Sequence, residues 1–218
     1  MRIMAVACLS FLLPVAMSPA PAAEGPDANP TLARLAGVVR AVMADPRRRA
    51  AAIEAGRLRA TFCFACHGED GNSRRPHVPK LAGQNPVYLL DQIERFASGR
   101  RRTTYMQALA SHFTEEDKIN LVVYFASQPL RPAGGDPRLA EAGERIYRQR
   151  CIGCHGPDGR GSRGYARLAG QQPRYLEKTL RDFQTEGGRR DSPVMQAMVR
   201  DLGAGDIRAL AAFLAGLR

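Results

Sequence analysis

The feature that most limits how this chain can fold is a long internal repeat built around a five-residue motif. Cys63-Phe64-Ala65-Cys66-His67 returns 88 positions later as Cys151-Ile152-Gly153-Cys154-His155, each followed by a glycine, Gly68 or Gly156. Asp70-Gly71 returns as Asp158-Gly159 at the same displacement, and Leu81-Ala82-Gly83-Gln84 returns 87 positions on as Leu168-Ala169-Gly170-Gln171. Pro86, Tyr88, Leu89 and Phe96 match Pro173, Tyr175, Leu176 and Phe183, and Met106-Gln107-Ala108 matches Met195-Gln196-Ala197 at a displacement of 89. A displacement that drifts by one residue either way implies fixed elements joined by loops of slightly different length. The chain therefore divides into two similar lobes. Lobes of roughly 100 residues have small cores, and domains of that size commonly lean on a staple or a prosthetic group.

Each copy reads as a set of helices, so the expected fold class is all-α, with two tandem helical domains. An Ala/Arg-rich helix runs from about Pro46 into Cys63, and its partner from about Pro137 into Cys151. A Gly/Pro/Arg loop follows each motif. The next helix begins at Pro86 or Pro173, with Tyr88, Leu89, Ile93 and Phe96, or Tyr175, Leu176, Leu180 and Phe183, at helical spacing. The last helix of the first copy opens with Thr114 and Asp117, a capping-box pattern, and carries Ile119, Val122, Val123 and Ala126; the second copy offers Ile207, Leu210, Ala211 and Leu214. No segment alternates as a strand would. Pro30 to Asp45 predicts an extra helix that the second copy lacks, and Gln128 to Pro137 reads as the linker.

The motif carries the chemistry. Cys-x-x-Cys-His is the attachment signature of a c-type haem. Two thiols separated by two residues each reach one vinyl group of the same porphyrin, and the adjacent imidazole ligates the iron. The expected attachment residues are Cys63 and Cys66, and Cys151 and Cys154; the proximal ligands are His67 and His155. A dithiol redox pair would sit between a strand and a helix, and none is visible. A shared zinc site would need the two motifs to converge across a full repeat. Met106 and Met195 are the candidate sixth ligands, because a thioether favours ferrous iron and fills the remaining position. Met198, whose counterpart is Leu109, competes with Met195, and His77 and His112 compete for the first iron. The Pro79 segment is placed to accept the other ring nitrogen of His67. Tyr88 and Tyr175 line a haem edge or pack on their helices, and Arg74, Arg75, Arg160 and Arg163 are candidates to pair propionates. Two covalent haems with filled sixth positions make an electron carrier, not an enzyme.

The N-terminus sets the compartment. Met1-Arg2, an apolar run from Ile3 to Leu13 and the small residues up to Ala23 form a signal segment over residues 1–23. The run is too short to span a bilayer, and Cys8 leaves with it. The expected location is the periplasm, with domains over 24–130 and 136–218. The chain holds 32 Lys and Arg against 21 Asp and Glu, a formal net charge of +11. An exported basic protein meets little nucleic acid; the charge points to acidic protein surfaces and to peripheral contact with anionic lipid headgroups.

Taken together, Cys63-x-x-Cys66-His67, Leu81-Ala82-Gly83-Gln84, Tyr88, Phe96, Met106 and the full second set resemble the dihaem class I cytochromes c, the cytochrome c4 family. The resemblance covers about Ile53 to the C-terminus. It implies two cytochrome c folds with their haems near each other, passing electrons between donors and acceptors such as a membrane terminal oxidase. It implies His67 with Met106 and His155 with Met195 as the axial pairs. The same motifs would also serve a haem-bearing subunit of a larger periplasmic dehydrogenase. The sequence departs from a strict repeat at Pro79, which becomes Ala166; the expectation is a looser acceptor loop in the second lobe.

Overall fold

The computed structural model describes residues 29–185 and 187–218, so the signal segment, Cys8 included, lies outside the described residues. The described chain is helical. The helices are α1 (Pro30–Ala44), α2 (Pro46–Arg59), α3 (Thr61–His67), α4 (Pro86–Ala97), α5 (Thr104–Ala110) and α6 (Glu115–Ala126), then α7 (Pro137–Arg150), α8 (Ile152–His155), α9 (Pro173–Gln184), α10 (Pro193–Val199) and α11 (Ala204–Gly216). Among the described residues the extended structure amounts to one isolated antiparallel bridge, Arg101 with Arg190. None of these helices is long and apolar enough to cross a membrane.

Local chemistry sets the helix starts. Proline stands in the first turn of α1, α2, α4, α7, α9 and α10, where its missing N–H costs nothing and its fixed φ suits the helix. Asn29, Asp45, Asn85 and Asp136 cap the first four of these through side-chain oxygens. Thr114 and Asp117 form the expected capping box on α6. The helix read as continuous from Pro46 into Cys63 is broken: α2 ends at Arg59, Ala60 turns, and α3 starts afresh. Its partner runs as expected to Cys151: α7 ends at Arg150, Cys151 caps it, and α8 starts afresh.

Helices α1 to α6 pack around Leu35, Leu90, Leu121, Val122 and Phe125, and α7 to α11 around Tyr147, Leu180, Ile207, Leu210 and Leu214. In each half the first repeat helix crosses the last one, α2 on α6 and α7 on α11. Glycine makes both crossings possible. A Cβ on Gly56 would strike the carbonyl of Asn120 and lie 2.7 Å from Tyr124 Cβ; one on Gly143 would strike the carbonyl of Ala209 and lie 2.7 Å from Phe213 Cβ. Gly56 and Gly143 stand one repeat apart. The extra helix α1 is a full member of the first core. It buries Leu32, Leu35, Ala36, Val39 and Val42, against α2, α4 and α6. The linker is tied to both halves: Asn72 Nδ2 donates to Pro129 O and Arg131 N–H to Asn72 Oδ1, while Ala133 N–H bonds Gly170 O and Gly134 N–H bonds Ala215 O.

Candidate haem sites

Both Cys-x-x-Cys-His motifs end a short helix, and both helices stop on a glycine with positive φ, 81° at Gly68 and 79° at Gly156. Only glycine takes that turn without strain, so each histidine is the last helical residue before the chain leaves. All four thiols are free and half-buried. Burial pushes the Cys63 thiol up and the Cys151 thiol up to about 11. Thiols raised in this way are poor thiolates, the opposite of what a dithiol oxidoreductase needs. Among the described residues no three His, Cys, Asp or Glu side chains gather as a shared zinc site would require.

His67 and His155 are each 8% exposed. Their Nδ1 atoms lie 3.0 Å from Pro79 O and 2.9 Å from Ala166 O. A carbonyl can only accept, so Nδ1 carries the proton and Nε2 is left with its lone pair. Burial lowers the basicity of both rings, keeping them neutral. A neutral imidazole with a fixed tautomer is the form that ligates iron. The acceptor loops are closed alike in both halves: Leu81 and Ala82 N–H bond Gly71 O, and Leu168 and Ala169 N–H bond Gly159 O. The repeated Asp-Gly and Leu-Ala-Gly-Gln segments are thus the two sides of one loop base. The change of Pro79 to Ala166 leaves the acceptor bond in place, because the acceptor is a main-chain carbonyl held by this base.

Met106 and Met195 stand on α5 and α10, half-buried, and Met195 packs against the second core. Met198 is 39% exposed. His77 and His112 are exposed, as are Arg74, Arg75, Arg160 and Arg163. The arginines that matter are others. Arg190 is buried, and Arg101 is partly covered beside it. Arg101 Nη2 and Arg190 Nη2 donate to Tyr175 Oη at 3.1 and 2.7 Å, and Arg101 Nη1 donates to Gln92 Oε1 at 2.7 Å. Burial alone would push the Tyr175 phenol up, but the charges of Arg190 and Arg101 outweigh it and bring it down to about 8. The sequence did carry a signal for this pair: Arg101 and Arg190 are 89 residues apart, the displacement that relates Met106 to Met195.

These residues fit a haem in each half. Arg101 and Arg190 form no ion pair with a carboxylate among the described residues, and buried cations need an anion. Thr103, three residues before Met106, holds the one buried side-chain polar atom without a partner among the described residues. Haem propionates supply both an anion and a hydrogen-bond acceptor.

An all-α fold that presents this arrangement twice is that of a dihaem c-type cytochrome, an electron-transfer protein. The chain belongs to the cytochrome c4 family: it is 38% identical over 185 residues to cytochrome c4 of Azotobacter vinelandii, covering 75% of this chain and 88% of that one. The crystal structure of reduced recombinant cytochrome c4 from Pseudomonas stutzeri matches with a TM-score of 0.71 at 35% identity, covering 76% of this chain and 98% of that chain. Residues 138–214 match the family model of cytochrome c oxidase, cbb3-type, subunit III. A thiosulfate dehydrogenase electron acceptor of Thiomonas intermedia is 30% identical over 150 residues, covering 62% of this chain and 68% of the relative.

Proposed function

We propose that this chain is a periplasmic electron carrier of a respiratory chain, with one haem in each of two cytochrome c domains, residues 24–130 and 136–218. Cys63 and Cys66 hold the first haem and Cys151 and Cys154 the second, through thioether bonds. His67 with Met106, and His155 with Met195, would ligate the two irons. The observation that carries this reading is the pair of buried, neutral imidazoles, each one residue after a free thiol pair and each pinned through Nδ1 to a backbone carbonyl. When bound, the haem supplies a reversible one-electron couple at iron. The chain's residues fix the imidazoles through Pro79 O and Ala166 O, and Arg101 and Arg190 would neutralise the propionates. A redox titration with optical spectra of the purified protein tests the reading. Two low-spin haems titrating in two waves are expected; a single haem, or a sixth position open to carbon monoxide at neutral pH, would end it.

Residues 1–23 support export, and the net charge of +11 supports docking to acidic redox partners, a membrane terminal oxidase among them. Electron exchange with an acidic partner is expected to slow about tenfold or more between roughly 0.01 and 0.15 M ionic strength, as charges more than a Debye length apart are screened. Stopped-flow rates across that range check it, and a flat profile would remove steering by charge. A second reading, a carrier dedicated to one dehydrogenase, draws on the likeness to a thiosulfate dehydrogenase electron acceptor. Co-purification of a stable dehydrogenase with the native protein would favour it.

A further inference from the structure

The two halves meet through a reciprocal clasp. Gln84 and Gln171, the last residues of the repeated Leu-Ala-Gly-Gln segments, are 6% and 5% exposed. Gln171 Oε1 accepts from Lys80 N–H at 2.7 Å, and its Nε2 donates to Lys80 O at 2.9 Å. Gln84 does the same to the other half: Oε1 accepts from Arg167 N–H at 2.6 Å, and Nε2 donates to Arg167 O at 2.8 Å. Lys80 and Arg167 follow Pro79 and Ala166, the residues whose carbonyls accept from His67 and His155. The N–H that each glutamine engages therefore belongs to the very peptide group whose C=O binds the histidine of the opposite half.

We propose that Gln84 and Gln171 are crossed positioning residues: each sets the donor strength of the proximal histidine in the lobe it does not belong to. Hydrogen bonds that share a peptide group polarise one another. An acceptor on the N–H side places more charge on the carbonyl oxygen. That oxygen then draws harder on the Nδ1 proton, and the imidazole becomes a stronger donor to iron. Partners of this kind beyond the ligand itself tune a metal's affinity and potential. The arrangement lets a displacement of one lobe against the other change both haem potentials without touching either ligand set.

The inference rests on His67 and His155 as proximal ligands. In the holoprotein, His67→Ala and His155→Ala should each displace or abolish one wave of the redox titration and leave the other in place. That result assigns the waves and tests the ligands separately. Gln171→Leu should then favour the reduced state of the first haem about threefold, a rise of about 28 mV at 59 mV per tenfold, with the second wave unmoved. Gln84→Leu should do this to the second haem alone. Gln171→Glu keeps an acceptor on Lys80 N–H; protonated, its carboxyl still donates to Lys80 O, and ionised it adds charge to the acceptor, so the first haem should move downward as pH rises, and further than the second. A packing role would give both variants one sign. Shifts confined to the substituted lobe, equal shifts of both waves, or no shift would overturn the proposal. Replacement of either histidine with neither wave displaced or lost would instead overturn the ligand assignment.

Discussion

Replacing Met106 by Leu is expected to lower the potential of the first haem by on the order of 100 mV or more, leaving the second wave in place. Met195→Leu should do the reverse. The sulfur of a thioether stabilises ferrous iron, and leucine offers no donor, so the altered iron takes water or stays open. The ferric spectrum should lose half of its sulfur-to-iron absorption in either variant and all of it in the double variant. Met198→Leu serves as the control. Its side chain is at the surface, and its removal should leave both waves unchanged. The halves have separate cores, which is why each substitution should act on one haem. Equal disturbance of both haems by either change would contradict two independent sites.

The second large effect concerns the helix crossings. Alanine usually favours a helix over glycine by about 1 kcal/mol, so propensity alone predicts that Gly143→Ala stabilises α7. The crossing predicts the opposite. The new methyl would strike the Ala209 carbonyl and stand 2.7 Å from Phe213 Cβ, and neither atom can move without shifting α11. The expected cost is about 3 kcal/mol or more, the range of overpacked cores. For a lobe of this size that lowers the melting temperature by roughly 12 °C or more. Gly56→Ala should cost the first lobe as much. Gly37 in α1 has open space where its Cβ would be, and Gly37→Ala should gain about 0.5–1 kcal/mol. Calorimetry of the three holoprotein variants gives the comparison; destabilisation by all three, or by none, would show that close approach is not what glycine provides here.

Much of the fold and site could be read from the residues, for reasons that differ by element. The motif, the repeat, the proline-led helix starts and the Thr114 capping box are local signals, written within a few neighbouring positions. The short helices α5 and α10 escaped notice because seven residues are too few to display a period, although their methionines were visible through the repeat. The break at Ala60 escaped for a related cause: an Ala/Arg-rich stretch has no intrinsic reason to stop, and packing decides. Arg101 and Arg190 were hidden among many arginines; their 89-residue spacing marked them as a repeat pair, and burial then sets them apart from the exposed Arg74, Arg75, Arg160 and Arg163. Gln84 and Gln171 were plain as matched letters, but their partners lie 83 and 91 residues away, a pairing that no local pattern encodes.

The clasp has a consequence for what the linker does. Each half offers the same glutamine to the same backbone position of the other, which is the pairing that two copies of one unit make about a two-fold axis. The contact is self-complementary and does not need a covalent connection in order to be specified. The residues between α6 and α7, bonded to both halves, then keep two mutually recognising surfaces from parting. The linker sets that the halves stay together, and the glutamines, with the Arg101–Arg190 bridge, set how they fit.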